Sequence, residues 1–236
     1  MTHPLTLYGH FLSQPTRAVL WTLAMKGTPY NFVKINPAQN EADTEEFYAK
    51  FPTGGVPALH DASAKFDGKP LHLTESNAIL AYLSSKNGWS DLYPTDVVLR
   101  AKVDQWLHWH HANMRICTNR IFRPRMNIAM GWKQANPLLE GPDILKLLRP
   151  SFLVLQHEGL LNSRPFLVGN VPTIADISVY CELDQLFYAK LLDLQDFPDI
   201  QSWMKRLQAL PHHDEVRRTL FKFIEILNSK SPQSGI

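Results

Sequence analysis

The chain has 236 residues, of which 44% are hydrophobic and 19% are charged, and its formal net charge is +2. This composition is typical of a folded globular protein and excludes a disordered chain, and the length allows one large domain or two modest ones. The nearly balanced charge argues against a nucleic-acid-binding surface, and no apolar run approaches the ~20 residues that a membrane-spanning helix requires.

The two cysteines, Cys117 and Cys181, each lie in an apolar helical pattern without a CxxC partner. We expect both to be reduced packing residues, because two cysteines cannot build a disulfide framework. No basic segment followed by an apolar one opens the chain, so no signal peptide is predicted. These patterns favour a soluble protein of a reducing compartment, which we expect to be the cytoplasm.

The first third of the chain predicts an α/β unit. The expected elements are a strand at 5–9, a helix at 13–26, a strand at 30–35, a short helix at 44–50, strands at 56–60 and 65–73, and a helix at 75–86. Gly27 is a typical helix end, and Asp67 with Gly68 is typical of a hairpin turn. This βαβ–ββα order requires a mixed sheet with helices on its faces.

The rest of the chain predicts helices only. The expected helices are 96–131, bent near Pro124, then 142–161, interrupted or kinked near Pro150, and 173–190, 198–210 and 214–228. The predicted division is an α/β domain at 1–86, a linker at 87–95, an all-helical domain at 96–228 and a frayed tail at 229–236.

Three short segments carry the candidate site residues. They are Leu12–Arg17, Gly55–Leu59 and Leu73–Ile79, with the sequences LSQPTR, GVPAL and LTESNAI. Their order and spacing resemble the thioredoxin-like domain of the glutathione transferases, and the Ser-Gln-Pro-x-Arg form is most similar to the theta class. The capping box at Thr173–Asp176 also resembles a motif of that family's helical domain. The resemblance implies a thioredoxin-like glutathione-binding domain, an all-α second domain and a homodimer.

Ser13 precedes a proline-containing first turn and is predicted to be the N-cap of its helix, a role that needs no chemistry. A helix N-terminus also stabilises an anion, and a hydroxyl that donates a hydrogen bond to sulfur favours the thiolate. The resemblance implies that Ser13 has this catalytic role toward the sulfur of glutathione. Phe11 lies near the position of the tyrosine used in other classes and has no hydroxyl.

The resemblance also implies the positions that bind the glutathione backbone. Val56 would pair with the cysteinyl backbone, ahead of Pro57 in a cis peptide bond. Glu75 and Ser76 would receive the γ-glutamyl end, where a carboxylate suits the ammonium and a helix start suits the carboxylate. These two residues could equally serve as a capping pair behind Thr74, the expected N-cap.

The position expected to bind the glycyl carboxylate departs from the family. Gly55 stands where relatives often have lysine or glutamine. Lys50, or a nest of backbone N–H groups at residues 53–55, could take the place of that cation.

The family's second-substrate pocket lies between the domains. Its candidate residues here are His10, Phe11, Leu12, His111, Met114 and Arg115. Arg17 is expected to be structural or to lie at a dimer interface. The histidines at 108, 110 and 111 do not complete a ligand set, so no metal is predicted.

The sequence therefore predicts a glutathione transferase of the theta-like, serine-containing kind, active in detoxification, with glutathione as co-substrate and a small apolar electrophile as second substrate. One alternative is a non-catalytic binding or scaffold protein, which the glycine at position 55 favours. Another is a glutathione-dependent isomerase, dehalogenase or peroxidase.

Overall fold

The computed structural model describes residues 3–36, 39–131, 138–139, 141–160 and 164–230. The predicted fold is confirmed: a four-stranded mixed sheet with helices is followed by a helical half. In chain order the elements are β1 Leu5–Gly9, α1 Gln14–Met25, β2 Asn31–Lys34, α2 Glu45–Lys50, β3 Ala58–Phe66, β4 Lys69–Thr74, α3 Ser76–Lys86, α4 Val97–Asn113, a π-helical segment Cys117–Phe122, α5 Arg123–Ala129, α6 Gly141–Val154, a π-helical segment Leu155–Gly159, α7 Ile174–Tyr188, α8 Pro198–Gln208 and α9 His213–Lys230.

The strands are ordered β2-β1-β3-β4, with β1 parallel to β2 and antiparallel to β3. Alternation along β1 sends Leu7 into the main core with α1 and α3, while Tyr8 packs against Phe47 and Phe51 beside α2. The helices therefore cover both faces of the sheet. The site lies where the chain leaves the end of β1 and enters α1.

Strand β3 is longer than predicted. It runs to Phe66 because it pairs with β4 along a hairpin, with a register shift between Asp61 and Lys65. The predicted turn at Asp67 and Gly68 is confirmed, since both residues have positive φ, at 50° and 76°.

The expected N-cap of α3 is wrong. Thr74 ends β4, and Glu75 takes the cap position with a φ of 67°. A positive φ is unusual for a residue with a side chain and costs of the order of 1–3 kcal/mol.

The long helix predicted at 96–131 is interrupted, and the break does not start at Pro124. Helix α4 ends at Asn113, and a π-helical segment connects it to α5. Pro124 lies in the first turn of α5, directly after the π-helical segment. Of the interruption or kink expected near Pro150, the interruption is wrong, because α6 continues through that residue to Val154. Within the predicted tail, residues 229–230 belong to α9, and 231–236 lie outside the described residues.

A buried ion cluster ties α1 to the helical half. Asp184 on α7 accepts hydrogen bonds from Arg17 at 3.1 Å and from Arg217 at 2.6 Å, and all three side chains are fully buried. Arg17 also donates to the carbonyl of Leu12 at 2.9 Å, which fixes the turn before α1. Of the two roles expected for Arg17, the structural one is therefore confirmed.

The predicted capping box is confirmed at the start of α7. Asp176 is buried and accepts hydrogen bonds from the backbone and hydroxyl of Thr173, and from the indole of Trp203 at 2.9 Å.

Both cysteines are buried and free. In the part of the chain that the structure describes, no helix is long and apolar enough to cross a membrane.

Asp61 should make stability depend on pH in acid. Burial acts to raise its pKa, but hydrogen bonds from Lys86, Ser63 and Tyr82 prevail and lower the pKa to about 2. Because the folded pKa lies below the unfolded value, the stabilisation is complete above about pH 4 and is lost as the pH falls toward 2. With allowance for solvent around Lys86, we expect it to contribute about 1–2 kcal/mol.

The measurement is the free energy of unfolding in urea between pH 2.5 and pH 6. The Asp61→Asn variant should show a weaker dependence on pH than the parent protein. The Asp91→Asn variant, which removes an exposed partner of Lys26, serves as the control. Equal pH dependence in the parent and Asp61→Asn would contradict the assignment.

Candidate active site

Two cavities of about 290 Å³ each adjoin at the start of α1. They share part of one wall, formed by Pro15, Gly55, Val56 and Arg115. A ligand that lies along these four shared residues would therefore occupy part of both cavities. We call them the polar cavity and the apolar cavity.

The polar cavity lies between residues 54–57, the start of α3 and the region where α4 ends. It brings together most of the residues expected to bind glutathione. Its lining includes Gly55, Val56, Pro57, Glu75, Ser76, His111 and Asn119. The main-chain and carboxylate groups face a space suited to a small polar ligand.

The apolar cavity lies on the other side of the shared wall. Its apolar lining consists of Leu12, Ile35, Ala42, Phe122, Met126 and Met130. Its polar lining includes His10, Ser13, Thr118, Arg123 and Gln185. A few polar groups in a mostly apolar wall are typical of a site for a small organic molecule.

Ser13 is the N-cap of α1, as predicted, with an extended backbone at φ −69° and ψ 117°. Its Oγ accepts the N–H of Thr16 at a long 3.4 Å. Within the described residues the hydroxyl donates to no acceptor, so its proton is available to a ligand atom in the cavity. Nearby, His10 accepts the N–H of Leu12, and burial followed by the charge of Lys34 lowers its pKa.

The peptide bond between Val56 and Pro57 is cis, as expected from the resemblance. The preceding Gly54 and Gly55 have φ values of 67° and 77°. A Cβ on Gly54 would lie 2.9 Å from the ring of Tyr48, so both backbone and space require glycine there. A backbone of this shape cannot carry the family's usual cation without strain at position 55.

Lys50 lies on the exposed face of α2, where its ammonium pairs with Glu46 at 2.8 Å. It does not belong to the described lining of either cavity. The polar cavity contains other groups that could meet a carboxylate, namely His111, Arg115 and the backbone at 54–55.

Of the six residues expected to bind the second substrate, four line one or both cavities and two pack elsewhere. His10, Leu12 and Arg115 line the apolar cavity, whereas His111 lines the polar one. Phe11 packs against Phe32 with ring centroids 4.7 Å apart, and Met114 is fully buried in the core. Neither of these two lines either cavity.

The residues of the π-helical segment and α5 that line the apolar cavity were not predicted as site residues from the sequence. Thr118, Phe122, Arg123, Met126 and Met130 come from this stretch. The stretch was predicted as one continuous helix, which places side chains at a spacing of 3.6 residues. The π-helical segment changes that spacing, and Pro124 was the one sequence signal of an irregularity.

A buried network supports the wall that the two cavities share. Arg115 donates to Gln14 at 2.8 Å and to the buried Glu182 at 2.7 Å. Glu182 also accepts from Thr118 at 2.5 Å. Burial opposes the charged form of Glu182, but His110, Arg115 and Thr118 together lower its pKa. The guanidinium of Arg115 is therefore paired and held in place. No group of three potential metal ligands occurs among the described residues.

Comparison with known proteins decides the family. Residues 3–85 match the family model for the glutathione S-transferase N-terminal domain, and residues 152–211 match that for the C-terminal domain. Glutathione S-transferase T1 of Arabidopsis thaliana is 33% identical over 94% of this chain and 91% of its own length. The chain belongs to the glutathione S-transferase family.

Two further relatives place this glutathione S-transferase beside the theta class. Glutathione S-transferase T3 of Arabidopsis thaliana is 34% identical over 92% of the chain, which spans 37% of that longer protein. A crystal structure of human glutathione transferase theta-2, complexed with glutathione and an unknown ligand, has a TM-score of 0.76 at 25% identity, covering 97% of this chain and 94% of the other.

Proposed function

We propose that this glutathione S-transferase binds glutathione in the polar cavity and uses Ser13 to hold its sulfur as a thiolate. The observation that carries the proposal is the shared wall between the cavities. Ser13 lies in the apolar cavity next to that wall, while Glu75 and Ser76 lie in the polar cavity. One ligand can thus be anchored on one side and react on the other.

Groups of the two cavities fit each of the three residues of glutathione. The carboxylate of Glu75 suits the γ-glutamyl ammonium, and the hydroxyl and N–H groups at the start of α3 suit its α-carboxylate. The backbone of Val56, a residue that lines both cavities, suits the cysteinyl amide. The glycyl carboxylate would meet Arg115, His111 or the backbone of Gly55, in place of Lys50.

The sulfur then reaches the start of α1. A hydrogen bond from the Ser13 hydroxyl and the partial positive charge of the helix N-terminus both favour the thiolate. A thiol pKa lowered by ~2 units corresponds to ~2.7 kcal/mol, which two such interactions can supply. The thiolate attacks an electrophilic carbon in the apolar cavity, where the new C–S bond replaces the bond to the leaving group. Conjugation, dehalogenation and peroxide reduction all start from this nucleophile.

Removing the charge of Glu75 should weaken glutathione binding. Its carboxylate lines the polar cavity and has no hydrogen-bond partner among the described residues. We expect Glu75→Gln to raise the Kd for glutathione about tenfold, because a charge-assisted hydrogen bond is lost. Titration calorimetry measures this change. An analogue of glutathione without the ammonium should bind the parent and variant equally, and an equal loss for both ligands would contradict the assignment.

Turnover tests the transferase activity itself. The parent protein should conjugate glutathione to simple benzyl and aryl halides with saturation in both substrates. Binding of glutathione without turnover across such a panel would instead favour the scaffold alternative, which the glycine at position 55 supports.

The finer assignments are part of the same proposal. The protein would be a cytoplasmic homodimer active in detoxification. Apolar residues exposed at the start of α4, Val97 and Val98, suit an association surface. Residues 1–86 would form the glutathione-binding domain, 87–95 the linker and 96–228 the helical domain.

A further inference from the structure

We infer that the second substrate is an apolar electrophile that carries an anionic group, and that Arg123 binds this group. The inference rests on the proposed function and adds the chemical class of the substrate. It follows from the position and the charge environment of one side chain.

Arg123 is the first residue of α5 and lines the apolar cavity beside Phe122, Met126 and Met130. Its guanidinium is exposed and forms no ion pair or hydrogen bond within the part of the chain that the structure describes. The nearby Arg125 differs, because it is buried and donates to the carbonyl of Ile121 at 3.0 Å. Arg123 is thus a free cation at the edge of an apolar wall.

The other ionisable groups that line the cavity bring no negative charge that would neutralise Arg123. Arg115 is already paired with Glu182. Burial, followed by the charge of Lys34, lowers the pKa of His10 and so disfavours a charged imidazole. No carboxylate occurs among the described lining residues. Among its described lining residues, the apolar cavity therefore carries a net positive charge from Arg123.

A guanidinium in this setting selects anions. It is weakly hydrated and presents paired N–H donors that match a carboxylate. Phe122 and the two methionines would contact an aromatic or aliphatic body between the anionic group and the reacting carbon.

Two matched electrophiles test the inference: 4-(chloromethyl)benzoate and its methyl ester. In both, the glutathione sulfur forms a bond to the benzylic carbon, chloride leaves with the electron pair of the C–Cl bond, and the thiol proton passes to solvent. The anionic group takes no part in the reaction. Dividing each kcat/KM by the uncatalysed rate constant removes the intrinsic difference between the electrophiles.

The readout is the ratio of corrected kcat/KM, acid over ester. We expect Arg123→Gln to lower this ratio about fivefold to tenfold, mainly through the KM of the acid. Arg123→Lys should lower it less, because lysine keeps the charge but not the paired donors. Arg120→Gln is the matched control, since Arg120 is exposed on the π-helical segment and does not line the cavity.

Turnover of the ester with an unchanged ratio in Arg123→Gln would overturn the inference and leave the transferase proposal standing. The same would follow if Arg120→Gln lowered the ratio equally, because that result indicates a long-range charge effect. Turnover of neither electrophile by a protein that binds glutathione would overturn both.

Discussion

Replacing Ser13 with alanine should lower the rate of conjugation at pH 7 about tenfold or more, and this loss should shrink toward pH 9. The variant lacks the hydroxyl that donates to the sulfur, so the bound thiol needs a higher pH to ionise. Above the free thiol pKa, the parent and variant both hold mostly thiolate. The measurement is kcat against pH with saturating glutathione and a neutral benzyl halide.

Ser76→Ala is the matched control for this prediction. Ser76 is also a hydroxyl at a helix start, but it lines the polar cavity, and Ser13 lines the apolar one. We expect Ser76→Ala to raise the KM for glutathione and to leave the pH profile of kcat unchanged. A kcat that falls by the same factor at every pH in Ser13→Ala would contradict a role in thiol ionisation.

Replacing Asp184 with asparagine should destabilise the protein by about 3–5 kcal/mol, because two buried guanidiniums lose their shared anion. Arg17 and Arg217 are both fully buried against it. Burial acts to lower the pKa of Arg217 and Asp184 raises it, but a guanidinium is not deprotonated in proteins, so both positive charges persist in the variant. Urea denaturation measures the loss of unfolding free energy.

The control is Glu46→Gln, which breaks an exposed pair with Lys50 and should leave the free energy of unfolding nearly unchanged. If Asp184→Asn were equally mild, the buried cluster would not be the element that holds α1 against α7. The cluster also concerns the site, since Arg17 fixes the carbonyl of Leu12 one residue before Ser13.

Local signals were sufficient for much of the fold. Capping and turn chemistry act within a few residues, so Ser13, Gly27 and the Asp67–Gly68 turn could be read from the sequence. The Thr173–Asp176 capping box was found for the same reason.

The errors arose where distant contacts decide the structure. Pairing with β4 extends β3 to Phe66, and no local pattern shows it. The positive φ of Glu75 belongs to a strand-to-helix junction where Thr74 looked like the better cap. The π-helical segment likewise packs against α7. It changes the helical spacing, so Arg123 and Met126 line a cavity wall that a regular helical period does not predict.

The central claim is that Ser13 lowers the thiol pKa of bound glutathione, and the ultraviolet absorbance of the thiolate tests it directly. Titrating saturated complexes of the parent and Ser13→Ala with pH gives the two values. We predict a pKa well below that of free glutathione in the parent, and a value that returns toward the free one in the variant. Saturable binding with the same thiol pKa in both proteins would contradict the account.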